Sequence, residues 1–396
     1  MLGMPSPSLP QPNPEHSHPR GDAAAAPAGA SAGLPERQAA SPSAQAVPAD
    51  GAWPAVSYIM PVLNEERDLR EAVEAVLTQD YPGEAEIVLS LGPSHDATDR
   101  IAAELSAADP RIRTVHNPET NISMGLNLAI KASRHPIIVR VDAHATLSEG
   151  YTRAAVETLL RTGAANVGGI MSAKGRTPVQ RAIAVGYNSR AGLGGGAYHG
   201  HGEAGPAESA YLGVFRREPL EAVGLFDESI ARGEDWELNL RLREAGHLVW
   251  FEPSLRVTYW PRASWSALAR QFHATGVWRG DLVRRLGTRN SLRYFAPPLL
   301  VVLLGLAVIV AVLQLTGFLG GTIGAVASLV YVPVALYVLV LLGAAATARD
   351  VGSPGVRLLV PAVLATMHLC WGGGFLRGVV TKGEGTVDTS RIRTNG

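Results

Sequence analysis

Three short polar clusters in this chain have residue types suited to chemistry: Asp142-Ala143-His144, Glu234-Asp235 and Asn64-Glu65-Glu66. The first follows an apolar run over 136–141 that reads as a strand. At a strand end, residues two apart point to one face, so this carboxylate and imidazole can share a divalent ion. Such an ion can neutralise a diphosphate leaving group. A strand-end Asp also commonly caps a turn, so the triplet alone decides nothing. Glu234 and Asp235 open a predicted helix running to about Ala245, where the helix dipole keeps a carboxylate ionised. Acidic first turns also serve simply to support a helix. His199 and His201, in a glycine-rich stretch over 192–205, lack a third fixed ligand and are not read as a metal site.

The elements that must position these clusters are legible in the hydrophobic pattern. Val56-Ser57-Tyr58-Ile59-Met60-Pro61-Val62 reads as a buried strand, after which Asn64-Glu65-Glu66 opens an amphipathic helix with Leu69, Val73, Val76 and Leu77 apolar. Further strands are predicted over 86–91, 112–116 and 136–141, with helices over 98–105 and 125–132 between them. This alternation predicts an α/β fold with a mostly parallel central sheet covered on both faces. Ligands of such sheets sit at the carboxyl ends of strands. That rule selects 61–66 (with Pro61, Asn64 and Glu65), 92–98 (with Asp96) and 142–144. A helix over 264–285, rich in Arg and Trp, follows the Glu234 helix.

Composition narrows the function classes. The 396 residues carry 35 basic and 35 acidic side chains, so no excess of positive charge points to nucleic acid as a partner. A single cysteine, Cys370, excludes an internal disulfide framework and a cysteine-based zinc site. The first 52 residues, dominated by Pro, Ala, Ser and Gly, read as a disordered tail without the apolar core of a signal peptide. Beyond Pro297 the chain changes character. Segments 299–318 and 323–346 are almost wholly apolar and long enough to cross a bilayer; 356–375 is a third candidate, weakened by His368 and Gly372-Gly373-Gly374. Arg279, Arg284, Arg285, Arg289 and Arg293 precede the first span, while the turn at Gly320-Gly321 carries no charge. The expectation is a catalytic domain on the cytoplasmic face of the cell membrane and that turn outside. Arg349 and Arg357 return inside, but Arg377, Lys382, Arg391 and Arg393 also favour the inside, which conflicts with a third full crossing. The third segment is therefore open between a span and a re-entrant or interfacial piece.

The order of the motifs carries a resemblance. Met60-Pro61-Val62-Leu63-Asn64-Glu65-Glu66 is similar to the opening strand and turn of family 2 glycosyltransferases, and Asp142-Ala143-His144 falls where that family carries its Asp-x-Asp metal motif. Gly233-Glu234-Asp235-Trp236-Glu237-Leu238 resembles the family's Glu-Asp motif, and 268–279 its later helix containing Gln, Arg and Trp. Within the family the likeness is to succinoglycan-type exopolysaccharide enzymes, through the Asp-Ala-His triplet, the Tyr-Leu-Gly-x-Phe-Arg-Arg segment over 211–217 and a membrane tail. The resemblance covers about 56–285 plus the character of the tail.

It implies a GT-A nucleotide-diphospho-sugar-binding fold over 53–290, a membrane domain with two or three transmembrane helices over 291–380, and a polar tail over 381–396. It further implies inverting transfer of a sugar from a nucleotide-sugar donor to a lipid-linked or polysaccharide acceptor hydroxyl, in exopolysaccharide or cell-surface glycan synthesis. Asp235 would be the base, Asp142 and His144 the ligands of Mn²⁺ or Mg²⁺, and Pro61, Asn64, Glu65 and Asp142 would face the donor. Glu234, Gln271, Trp278 and Arg279 would lie on the acceptor side, although Trp278 and Arg279 read equally well as an interfacial belt beside membrane lipid. The sequence departs from the family twice. Leu91 and Gly92 stand where many members carry paired aspartates, leaving Asp96 or backbone groups to read the base. His144 replaces the commoner second Asp and, as an imidazole, suits manganese better than magnesium. The glycine-rich loop would be a lid over bound donor. A polyprenyl-phosphate sugar synthase and a catalytically silent membrane scaffold remain the alternatives.

Overall fold

A computed structural model of the chain describes residues 52–193, 202–230, 233–286, 292–348 and 351–381. The tail expected over 1–52 (but for Ala52), His199 and His201, Arg289, Arg349 and the polar end from Lys382 onward lie outside the described residues.

The chain opens with β1 (Val56–Val62), α1 (Leu69–Leu77), β2 (Ala85–Leu91), α2 (Thr98–Ala108), β3 (Ile112–His116), α3 (Ile122–Ala132) and β4 (Ile137–Arg140). It continues with β5 (Ala145–Leu147), α4 (Tyr151–Thr162), β6 (Asn166–Ala173), α5 (Pro178–Asn188), the short α6 (Arg190–Leu193) and β7 (Gly205–Pro206). Next come β8 (Tyr211–Arg216), α7 (Arg217–Ala222), α8 (Glu234–Glu244), β9 (Val249–Tyr259) and α9 (Trp265–Leu286). The C-terminal helices are α10 (Ala296–Leu315), α11 (Gly321–Ala327), α12 (Tyr331–Thr347) and α13 (Pro354–Val380).

The strands form one sheet in the order β3-β2-β1-β4-β8-β6-β9-β5, with β7 added on β9. The β3-β2-β1-β4 half is parallel throughout, whereas β8 pairs antiparallel with both β4 and β6. β1 is apolar along most of its length because helices cover both of its faces. Pro61 is tolerated inside it for a local reason. Ile59 bonds toward β4, accepting from Val141 N–H, so Pro61 faces the same way, where pairing with β4 has already ended. The sheet is that of the expected α/β fold.

Two local readings change. Residues 64–68 do not begin a helix: α1 starts at Leu69, and Asn64 takes a left-handed φ of 55°. The polar atoms of this loop are drawn instead to the start of α2. Asn64 N–H donates to Ser94 Oγ (3.0 Å), His95 N–H to Asn64 Oδ1 (2.8 Å) and Glu65 N–H to Thr98 Oγ1 (2.8 Å). Likewise β4 stops at Arg140, and Asp142 to His144 form a turn closed by Ala145 N–H donating to the Asp142 carbonyl. The two-residue strand period therefore does not set the directions of Asp142 and His144; the turn does.

The boundary drawn at 290 cuts through a shared core. Met171, Ile183, Tyr259, Leu268 and Phe272 of the sheet domain pack in one buried cluster with Val356, Val360, Val363, Leu364 and Met367 of α13. Contact between α9 and α13 is made by small residues on both sides. A Cβ on Gly276 would meet Trp371 O at 2.1 Å, and one on Gly378 would meet Val277 O at 2.0 Å. Gly280 and Gly374 sit as tightly, on Phe375 O and His273 O, so the two helices touch backbone to backbone. Gly378→Ala should lower stability by about 1–3 kcal/mol, the usual cost of overpacking, read as a lower unfolding midpoint in detergent. An unchanged midpoint would contradict this packing.

Candidate active site

The carboxyl end of β4 and the start of α8 bring three of the predicted acidic residues, Asp142, Glu234 and Asp235, together around one side chain that sequence reasoning missed. Arg140, the last residue of β4, is 3% exposed. Its Nη1 donates to Asp235 Oδ1, its Nη2 to Glu234 Oε1 (3.0 Å) and to Asp142 Oδ1 (3.3 Å). One guanidinium thus holds three carboxylates, Asp142 two residues on and Glu234 and Asp235 94 and 95 residues away in the sequence. Gly233, with φ 74°, starts α8, and a Cβ there would lie 2.1 Å from the Trp278 ring, so Trp278 packs directly on the turn that presents Glu234 and Asp235.

The electrostatics of Asp235 differ from the sequence expectation. A helix N-terminus alone would keep it ionised. Burial instead pushes its carboxyl upward; Arg140 opposes this, and the neighbouring Glu234 and Asp142 carboxylates add to the rise. Arg140 itself stays protonated: burial disfavours its charge, but Asp235, Asp142 and Glu234 together outweigh that and raise it. A raised carboxylate is a stronger base when ionised, which is the property wanted of a group that takes a proton from a hydroxyl.

A second buried pair joins β1 to the triplet: Glu65 Oε1 lies 3.0 Å from His144 Nδ1. A carboxylate on one ring nitrogen fixes an imidazole's orientation. With Nδ1 so engaged, ligation by His144 requires Nε2. Among the described residues no three His, Cys, Asp or Glu side chains form a metal cage. One carboxylate and one imidazole fit an ion that completes its shell with substrate phosphate and water, as divalent ions at phosphate-transfer sites commonly do.

The other predicted residues fall in distinct places. Asp96 binds the loop rather than open space: Oδ2 accepts from Glu66 N–H (3.3 Å) and Oδ1 from Thr98 N–H (3.0 Å). Burial alone would raise its carboxyl, but the Thr98 hydroxyl and these N–H donors outweigh it and hold it below the ordinary value. Gln271 accepts from Tyr187 OH (3.2 Å) and donates to Tyr259 OH (3.4 Å), and the Tyr259 ring meets His144 edge-on. Arg279 is 7% exposed, with its guanidinium carbon 5.0, 4.5 and 4.1 Å from the ring centroids of Trp236, Trp278 and Tyr294. That is a buried cation–π cluster rather than an open groove.

Tyr211 is the second residue the sequence reading did not single out. Its hydroxyl is buried and, among the described residues, has no hydrogen-bond partner. The backbone beside it is strained, with Leu212 at φ 59° and Gly213 at φ 89°. Burial foremost, then the Asp142 carboxylate, hold its phenol well above the ordinary value, so the proton stays on. A crevice of about 490 Å³ lined by Tyr58, Gln79, Glu86 and Arg134 opens at the amino ends of β1 and β2, the opposite edge of the sheet, and includes none of these groups.

Comparison with known proteins agrees with this architecture. The sequence model described as "Glycosyl transferase family 2" matches residues 57–224. The succinoglycan biosynthesis protein ExoA of Rhizobium meliloti is 32% identical over 323 residues, 81% of this chain and 93% of the relative. A dolichyl N-acetyl-α-D-glucosaminyl phosphate diacetamido-glucuronosyltransferase of Methanococcus voltae is 26% identical over 263 residues, 64% of this chain and 81% of that one. Among solved structures, a mannosyltransferase from Pyrobaculum calidifontis in complex with GDP-Man and Mn²⁺ superposes with a TM-score of 0.54 at 19% identity, covering 83% of this chain and 88% of its own. That likeness is one of fold, and it is the GT-A fold. By the extent of its identity to the Rhizobium protein and the match over its sheet domain, this chain is a glycosyltransferase and belongs to glycosyl transferase family 2.

Proposed function

We propose that the protein transfers a sugar, with inversion, from a nucleotide-diphospho-sugar to an acceptor hydroxyl at the cytoplasmic membrane face, in exopolysaccharide or cell-surface glycan synthesis. The observation that carries this is the Arg140 cluster, which joins the carboxylate of the Asp-Ala-His turn to the carboxylate that opens α8. Inversion needs a base opposite the leaving group. Asp235 takes the acceptor hydroxyl's proton as that oxygen attacks the anomeric carbon and the nucleoside diphosphate departs. Asp142 and His144 would hold a divalent ion, which would supply positive charge to the departing diphosphate. Pro61, Asn64, Glu65 and Asp96 form the donor-side wall, Asp96 by fixing the loop that carries the others. Glu234 and Gln271 lie on the acceptor side, and Trp278 and Arg279 brace it.

A lipid-linked acceptor is supported by the Methanococcus relative, whose name places its acceptor sugar on dolichyl phosphate, and by the apolar C-terminal helices. The Rhizobium relative supports an exopolysaccharide product. The arginines before α10 favour a cytoplasmic catalytic domain. The test is nucleoside-diphosphate release from a panel of nucleotide sugars by purified protein in native lipid, with manganese or with EDTA. Release from one donor, falling at least about tenfold in EDTA, is expected, given the several kcal/mol a metal supplies. Folded protein that turns over no donor would favour the silent scaffold.

Tyr211 has a place in the same reading: its hydroxyl donates to an oxygen of the bound substrate. Tyr211→Phe should then lower kcat/KM about tenfold, the worth of one hydrogen bond. Its unfolding midpoint should be unchanged or higher, because an unsatisfied buried hydroxyl is removed. Full activity in the variant would eliminate this role.

A further inference from the structure

By length and composition three helices could cross a membrane: α10, the continuous run Gly321–Thr347 that contains α11 and α12, and α13. We infer that only the first two do, and that α13 lies along the membrane surface with one face on the catalytic domain and the other on lipid headgroups and upper acyl chains. This rests on the membrane reading above and adds to it the position of the last helix.

The three candidates are covered by protein to different extents. Only 11% and 6% of the apolar windows of the first two are buried, against 39% for α13. Much of that burial comes from the sheet domain. Val363 and Met367 rest on Gly186 of α5, and the stretch from Trp371 to Val379 rests on Gly276 and Gly280 of α9. α9 has exposed Arg270 and Arg284 and a buried Asp281 that accepts from Arg284 at 2.6 Å. A full crossing by α13 would carry α9 and these charges into hydrocarbon, where charged side chains are strongly disfavoured.

Contacts with the spans trace the path of α13. Near its start, Arg357 donates to the carbonyls of Ala345, Ala346 and Ala348 at the end of α12. Further along, His368 Nδ1 is 3.0 Å from Tyr337 OH, and Gly372 lies against Pro297 and Val301 at the start of α10. α13 therefore runs back along the second half of α12, from its end to Tyr337, and then reaches the first turns of α10. Its uncovered face is apolar at Leu358, Leu369, Leu376, Val379 and Val380, with Arg357 and Arg377 beside them. An apolar stripe edged by arginines suits the headgroup boundary. The occupant of that face is the bilayer that the neighbouring helices cross. Arg377 and the basic residues after it then stay on the catalytic side, which removes the charge conflict of a third crossing.

Depth measurement tests this on the full chain. In a Cys370→Ser background, Leu358→Cys and Val379→Cys carry a fluorescent probe in vesicles, with Glu84→Cys and Gly320→Cys as markers of the two faces. These α13 positions are about 32 Å apart along the helix, enough to reach opposite leaflets if it crosses. We expect equal, shallow quenching by lipids brominated along the acyl chain, and reduction by external dithionite only in vesicles whose Glu84→Cys probe is also reduced. The inference is overturned if the two probes lie in opposite leaflets, or if Val379→Cys reacts from the Gly320→Cys face. Both α13 probes tracking Glu84→Cys on the extracellular face would uphold it while refuting the cytoplasmic orientation.

Discussion

Asp235→Asn is expected to lower kcat by roughly 10²–10⁴-fold, the range for losing a general base, while leaving the protein folded. The amide keeps the shape and can still accept from Arg140, so positioning survives and proton removal does not. The pH dependence follows from the same environment. Because burial and the adjacent carboxylates raise this carboxyl, it is protonated and inactive at pH values where an ordinary Asp would already be ionised. The acidic limb of kcat/KM should therefore lie above the usual carboxylate range and disappear in the variant. The stability sign is opposite. A group raised in the folded state stabilises below its unfolded value, and that contribution is lost as pH rises through the folded one. At neutral pH the neutral amide removes this cost, so the variant's unfolding midpoint should not fall. An active variant, or one that fails only by unfolding, would remove Asp235 from the chemistry.

Arg140→Met carries the largest expected effect on stability. It leaves Asp142, Glu234 and Asp235 facing one another in a partly buried site without the cation that joins them. Breaking a buried ion pair from one side typically costs about 3–5 kcal/mol. The loss should shrink as pH falls, because unpaired carboxylates take up protons more readily than paired ones. Thermal unfolding of variant and parent at pH 8 and pH 5.5 measures this; an equal deficit at both would mean that Arg140 acts through packing alone. Arg140→Lys should recover part of the stability, since it keeps the charge but cannot fork between three partners.

How much of this the sequence announces depends on the range of the interaction. β1 and β2 were readable because each is a short apolar run with a turn signal after it, and α8 because acidic residues begin it and arginines end it. The order of Asp142 and Asp235 was readable as motif. Arg140 was not, since an arginine inside a run of Ile and Val gives no local sign that two of its partners lie 94 and 95 residues away. The Glu65–His144 pair is hidden for the same reason, at a separation of 79. Asn64 misled because its side chain could cap a helix, yet it bonds across to the start of α2 and takes a left-handed turn. Composition gave the length of α13, but its covered face depends on glycines of α9 that are spaced like ordinary helix residues.

The shared core beneath α13 also sets an order of assembly. A ribosome that has released α5, β9 and α9 has made most of the sheet, yet Ile183, Leu268 and Phe272 still lack the apolar partners supplied by Val356 to Met367. Those partners emerge only after α10 and α12, the two helices apolar enough to cross a bilayer, have left the ribosome. Under the proposed membrane reading, completion of the sugar-transferring half is tied to insertion, and the finished fold forms where its lipid surroundings already are.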